Sequence, residues 1–152
     1  MNNGPSFRQV DRLLSPSSED EALLATYDSF DDKGSPTRGY RLTILCANLS
    51  VGVEDTVRIL HVCESVAETS PLYVMGPKPV WGEYVDDVLA TEPPPKGSDP
   101  FVPTSYDGRV LPGPGKDTNY EVTRYRFTTP GAHTVHWRLE PNVSNVLRFT
   151  VT

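Results

Sequence analysis

The sequence predicts an all-β chain, an antiparallel β-sandwich with a long Pro/Gly-rich loop, on three observations. The clearest is period-two alternation near the C-terminal end. Val135, Trp137 and Leu139 point one way while Thr134, His136 and Arg138 point the other; Leu147, Phe149 and Val151 then alternate with Arg148, Thr150 and Thr152. Such alternation gives a strand one buried and one solvated face. Composition is the second: 15 prolines and 11 glycines beside a hydrophobic fraction of 37% describe short strands and many turns. Length is the third, since 152 residues suit one domain whose core needs no disulfide.

Residues 1–20 are polar and broken by Pro5 and Pro16, so they read as a loosely ordered N-terminal arm. Residues 21–152 read as a single β-sandwich domain. Within the arm, Phe7, Val10, Leu13 and Leu14 fall on one stripe, which allows a short helical turn over 7–14. Residues 21–30 carry two competing signals. Ser18 followed by Glu21 has the spacing of a capping box ahead of Ala22-Leu23-Leu24-Ala25. Against it, Thr26-Tyr27-Asp28-Ser29-Phe30 followed by Asp31-Asp32-Lys33-Gly34 reads as a strand running into a turn. The β character of the remainder favours a first strand over residues 22–30.

Next, Tyr40, Leu42, Ile44 and Cys46 alternate with Arg41, Thr43, Leu45 and Ala47. Both faces are fairly apolar, so this strand is expected to be central and covered on both sides. Residues 51–55 turn the chain and 56–64 return it. Pairing the two strands puts Cys46 opposite about residue 58 and Cys63 opposite about residue 42. At that separation the thiols cannot bridge, which predicts two buried, reduced cysteines and fits a reducing compartment.

Residues 71–87 change character. Leu72-Tyr73-Val74-Met75 can form a strand, but Gly76-Pro77-Lys78-Pro79 stops it, because proline cannot donate to a ladder. Residues 90–115 hold Pro93-Pro94-Pro95 and Pro112-Gly113-Pro114-Gly115 and read as a long, stiff connection. The tail from Pro130 resembles the closing hairpin of immunoglobulin-like and fibronectin-type modules. The matching positions are Pro130, Gly131, Val135 and Trp137, then Ser144, Asn145, Phe149 and Val151. The resemblance implies an immunoglobulin-like β-sandwich and carries over no catalytic residue. The chain departs from immunoglobulin domains in lacking their inter-sheet cysteine pair.

A net charge of −6 argues against a general binder of nucleic acid or membrane surfaces, both of which need a basic face. Arg124, Arg126, Arg138 and Arg148 fall on strands and read as solvated outward positions. No apolar signal segment is visible in residues 1–14, so a cytoplasmic location is expected, with a processed secreted form as the alternative. On that expectation the N-x-S triplets at Asn48 and Asn142 are chance matches.

The candidate chemistry is sparse. His61 and Cys63 share a strand face and make half a metal site, while His133 and His136 would face opposite sides; no metal or other cofactor is expected. On this reading His133 is a turn residue and His136 an outward, solvated one. Cys63 shares a strand face with His61 and is a weak nucleophile candidate; no G-x-S-x-G elbow is present, and Cys63 reads as a buried hydrophobe rather than a nucleophile. No D-x-D-x-D run supports calcium binding. Glu83, Asp86 and Asp87, with Trp81, Tyr84 and Tyr106 as stacking platforms, support a carbohydrate-binding or glycan-active alternative. The favoured reading is a non-catalytic module that binds a protein partner or self-associates. Its contact residues are expected to be Tyr73, Met75, Lys78, Trp81, Glu83, Tyr84, Asp86, Asp87 and Tyr106, aromatics and Met ringed by charge.

Overall fold

The computed structural model describes residues 5–74, 77–96, 101 and 109–152, and they are predominantly β. In chain order the elements are β1 (Phe7–Leu13), α1 (Ser18–Leu24), β2 (Tyr40–Leu45), β3 (Ser50–Val51), β4 (Thr56–Ser65), β5 (Leu72–Val74) and β6 (Glu83–Val85). There follow β7 (Val88–Leu89), β8 (Arg109–Leu111), β9 (Gly115–Asp117), β10 (Val122–Phe127), β11 (Gly131–Leu139), β12 (Asn142–Val143) and β13 (Leu147–Val151). A first sheet runs β1-β10-β4-β2, with β9 also on β4; a second runs β3-β13-β11-β6-β7, with β12 on β11; β5 and β8 form a small third. All pairings are antiparallel except that of β13 with β3.

The two larger sheets share one core. Leu42, Ile44, Ile59, Tyr125 and Phe127 from the first pack with Val85, Val135, Trp137 and Phe149 from the second. The inward residues of β11 and β13 resolve as the sequence predicts, with Trp137 fully buried. The β2–β4 register also follows expectation, with Leu42 opposite Cys63. Both cysteines are free; Cys63 is buried and Cys46 half-buried.

Residues 22–30 are not a strand. They fall in α1 and a 3-10 turn at Tyr27–Ser29. A capping box decides the matter, one residue earlier than the sequence spacing points: Ser17 Oγ accepts from the Asp20 N–H, and the Ser17 N–H donates to Asp20 Oδ2 at 2.9 Å. Glu19, Asp20 and Glu21 then place negative charge at the positive end of the helix. Leu23, Leu24, Tyr27 and Phe30 cover Leu45, Leu60, Val62 and Val122 on the outer side of the first sheet.

β2 is covered on both faces, yet it lies at the end of its ladder rather than in the centre. Its free edge is answered by side chains. Asn145 receives the Ile44 N–H at 2.8 Å and donates to the Ile44 carbonyl at 3.0 Å, and Asn142 donates to the carbonyls of Thr37 and Tyr40. A two-faced apolar pattern thus reports cover above and below, not position in the ladder.

The segment expected as an arm contains β1, which pairs with β10 and sets Phe7 edge-on to Tyr125 at 5.9 Å. Strand pairing, not a helical turn, organises residues 7–13, because β10 presents an otherwise open edge there. Within the expected loop over 90–115, β8 pairs with β5 and Phe101 stacks on Tyr40. Residues 97–100 and 102–108 of that stretch lie outside the described residues.

Candidate functional site

The candidate residues centre on β6, and the backbone around it explains their separation. Gly82 sits at φ +71°, and a Cβ there would stand 2.2 Å from the Arg138 carbonyl oxygen. Only glycine permits that approach, which is closed by hydrogen bonds from the Arg138 N–H to the Gly82 carbonyl and from the Gly82 N–H to Glu92. β6 is thereby docked on β11, with Glu83 opposite Trp137 and Tyr84 opposite His136. Successive side chains then point to opposite faces.

Glu83 points into the core and is fully buried, contrary to its expected place on a contact surface. Its Oε1 accepts from the Thr123 hydroxyl at 2.5 Å and the Tyr125 hydroxyl at 2.6 Å, and its Oε2 lies 2.5 Å from His61 Nε2. His61 and Tyr125 belong to the first sheet and Glu83 to the second, so this cluster ties the two together through the core. A carboxylate surrounded by donors replaces the water it has lost. Burial, and then the neighbouring carboxylate, push the Tyr125 hydroxyl far above its ordinary range. None of the four side chains reaches solvent.

Tyr84 takes the outer face. Its ring stacks on His136 with centroids 5.0 Å apart, and the Arg138 guanidinium lies 5.6 Å from its centroid. His136 is consequently buried rather than solvated, and burial followed by the Arg138 charge lowers its pKa below the usual histidine range. Among the described residues, His136 Nε2 and Arg138 Nε have no hydrogen-bond partner. Trp81 is half-buried, packs against the core and accepts the Trp137 indole N–H at its carbonyl, 2.8 Å away.

Asp86 and Asp87 lie between strands. They form the two-residue turn between β6 and β7, at φ 50° and 63°, with Val85 opposite Val88. Asp86 turns back on the fold: it accepts from Ser6 Oγ at 2.6 Å and the Thr134 N–H at 2.9 Å, and contacts His133 Nδ1 at 2.6 Å. His133 is a buried strand residue, not a turn residue, and its Nε2 donates to the Thr129 carbonyl at 2.7 Å. Asp87, Val88 and Leu89 are exposed.

Lys78 is engaged elsewhere, 2.5 Å from the buried Asp117 and over the Tyr120 ring at 5.3 Å. Tyr73 lies on β5, opposite Val110 of β8. Met75 and Tyr106 fall outside the described residues. Of the expected contact set, Trp81, Tyr84, Asp86 and Asp87 thus gather around β6 and its turn, Glu83 faces the core, and Lys78 and Tyr73 belong to other elements.

Burial pushes the Cys63 thiol up to about 12, which keeps it protonated and poorly nucleophilic. Among the described residues no three His, Cys, Asp or Glu side chains converge as metal ligands, and no helix is long and apolar enough to cross a membrane. His136 and Arg138 joined the candidate face unforeseen; the only sequence signal was a His and an Arg on the outward positions of a strand. No family model, curated protein or solved structure matches this chain.

Proposed function

We propose that the chain is a non-catalytic binding module of the immunoglobulin-like β-sandwich type, which associates with a second copy of itself through β7 and the Tyr84 face. One observation carries the reading: β7 ends the second sheet and leaves Val88 56% and Leu89 40% exposed, one toward each face of that edge. Consecutive apolar residues on a free strand edge invite pairing with another strand. The stacked Tyr84, His136 and Arg138 lie on the neighbouring strands and supply an aromatic and cationic flank, a composition favoured in interfaces. The carbohydrate alternative draws less support, because Glu83 is withdrawn into the core and the Tyr84 ring is already occupied.

Sedimentation velocity over a concentration series tests this. The wild-type chain is expected to associate with rising concentration, and Val88→Lys combined with Leu89→Glu to stay monomeric with an unchanged circular dichroism spectrum. A monomer at every wild-type concentration, or association that survives the double substitution, would reject the proposal.

A further inference from the structure

The outward face of the first sheet carries charge that neither the core nor the β7 edge uses. Register sets Arg8 of β1 opposite Arg126 of β10, and Arg124 of β10 opposite Arg58 of β4. Alternate residues share a face, so these are two facing pairs of like charge on one surface, an arrangement that destabilises a sheet. Two of the four cations are answered, Arg8 by Glu54 and Arg58 by Asp20. The other two are not: among the described residues Arg124 and Arg126 form no ion pair.

Arg124 leans toward β1, its Nε donating to the Asp11 carbonyl at 2.7 Å. Arg126 donates from Nε to Thr56 Oγ1 of β4 at 3.0 Å and also lines an open groove of ≈ 290 Å³ together with Arg8, Gln9, Val10 and Asp11 of β1. β1 is the end strand of its sheet, and among the described residues nothing pairs with its other edge. Cationic forks and a free edge therefore occupy one place on a chain whose net charge is −6.

We propose that this edge binds an extended acidic segment of a partner protein, which adds to the sheet as a strand along β1 while its carboxylates meet Arg124 and Arg126. Strand addition supplies affinity through backbone hydrogen bonds, and side-chain pockets supply selectivity. A guanidinium matches a carboxylate in a two-point fork. Asp11 in the same groove opposes an acid placed beside it, so the first carboxylate of the segment should meet Arg126 at the Arg8 end and the next should reach Arg124 from that side. A nucleic acid fits less well, since a phosphodiester backbone cannot continue a β ladder and the remainder of the chain repels a long polyanion. This surface is distinct from the β7 edge, and its test does not depend on self-association.

The probe is a short fluorescein-labelled peptide of alternating Glu and Val, followed by anisotropy with the full chain. Three comparators accompany it: the same peptide with alternate backbone nitrogens methylated, a Lys-Val counterpart, and an oligothymidylate of equal length. The Glu-Val peptide is expected to bind and to weaken with added salt. Charge reversal at Arg124→Glu with Arg126→Glu should weaken it about tenfold or more. Arg124→Gln with Arg126→Gln, which relieves the facing like charges and so preserves the fold, should weaken it in the same direction. In the wild-type chain, peptide should slow amide hydrogen exchange in residues 7–13. Equal binding of the methylated peptide, tighter binding of the oligothymidylate, indifference to both double substitutions, or unchanged exchange in residues 7–13 would each overturn the proposal.

Discussion

Three donors converge on the Glu83 carboxylate, from Thr123, Tyr125 and His61, and none of the four side chains reaches solvent. Deleting the acceptor takes the short contact from each of these three buried polar groups and leaves only the longer Thr123–His61 approach of 3.5 Å between them. Breaking such a buried charged cluster costs about 3–5 kcal/mol, well above the ~1 kcal/mol typical of a single neutral hydrogen bond. Glu83→Ala is therefore expected to lower the free energy of unfolding in urea by about 3–5 kcal/mol. Tyr125→Phe, which removes one donor and leaves two, should cost about 1–2 kcal/mol. A surface carboxylate behaves differently, since replacing one usually changes stability by less than about 0.5 kcal/mol. A small loss for Glu83→Ala would mean that the side chain is solvated and the two sheets are not tied through it.

β6 is only three residues long, so its place depends on what holds its ends. On one side the turn at Asp86-Asp87 returns the chain to β7; on the other, Gly82 lets the backbone meet Arg138 of β11. Gly82→Ala would force a Cβ to within 2.2 Å of the Arg138 carbonyl at a positive φ, and strain of this kind costs about 1–3 kcal/mol before any lost packing is added. The expected result is a lower unfolding midpoint together with faster amide exchange across Glu83, Tyr84 and Val85. A midpoint within error of wild type would show that β6 does not depend on that close approach. Elements of this kind separate what the sequence makes legible from what it does not. The β2–β4 register and the faces of β11 and β13 could be read because strand period and pairing are local. α1 is not legible because Thr26, Tyr27 and Phe30 favour strand on propensity, while the deciding cap at Ser17–Asp20 is two hydrogen bonds. The sequence points Glu83 outward because its partners at 61, 123 and 125 are remote in sequence, and only the tertiary fold brings donors to it. Trp81, Tyr84, Asp86 and Asp87 were found as neighbours in sequence, whereas His136 and Arg138 join them only through the β6–β11 register.

Across the whole molecule, two partly buried aspartates join parts of the chain that share no strand. Asp86 links Ser6, just before β1, to the second sheet at His133 and Thr134. Asp20 links α1 to β4 through Arg58. Burial alone would raise the pKa of each carboxyl. For Asp86 the bonds from Ser6, His133 and Thr134 outweigh burial, and for Asp20 those from Arg58 and Ser17 do so, holding both below the ordinary aspartate range. The sign of the consequence is fixed by linkage. In the unfolded chain these groups titrate at about 4, and in the folded chain lower. Their contribution is complete above that value and is lost as pH falls through the folded pKa values. Asp86→Asn isolates one of them, because asparagine tolerates the φ of 50° at this turn and keeps the hairpin. Urea midpoints measured from neutral pH downward should show the variant less stable than wild type near neutrality, with the difference shrinking once pH drops below about 4. A difference that stays constant into strong acid would show that the Asp86 carboxylate is no more favoured by the folded chain than by the unfolded one. In that case the Ser6–Asp86–His133 junction would contribute nothing electrostatic to holding the N-terminal strand against the second sheet.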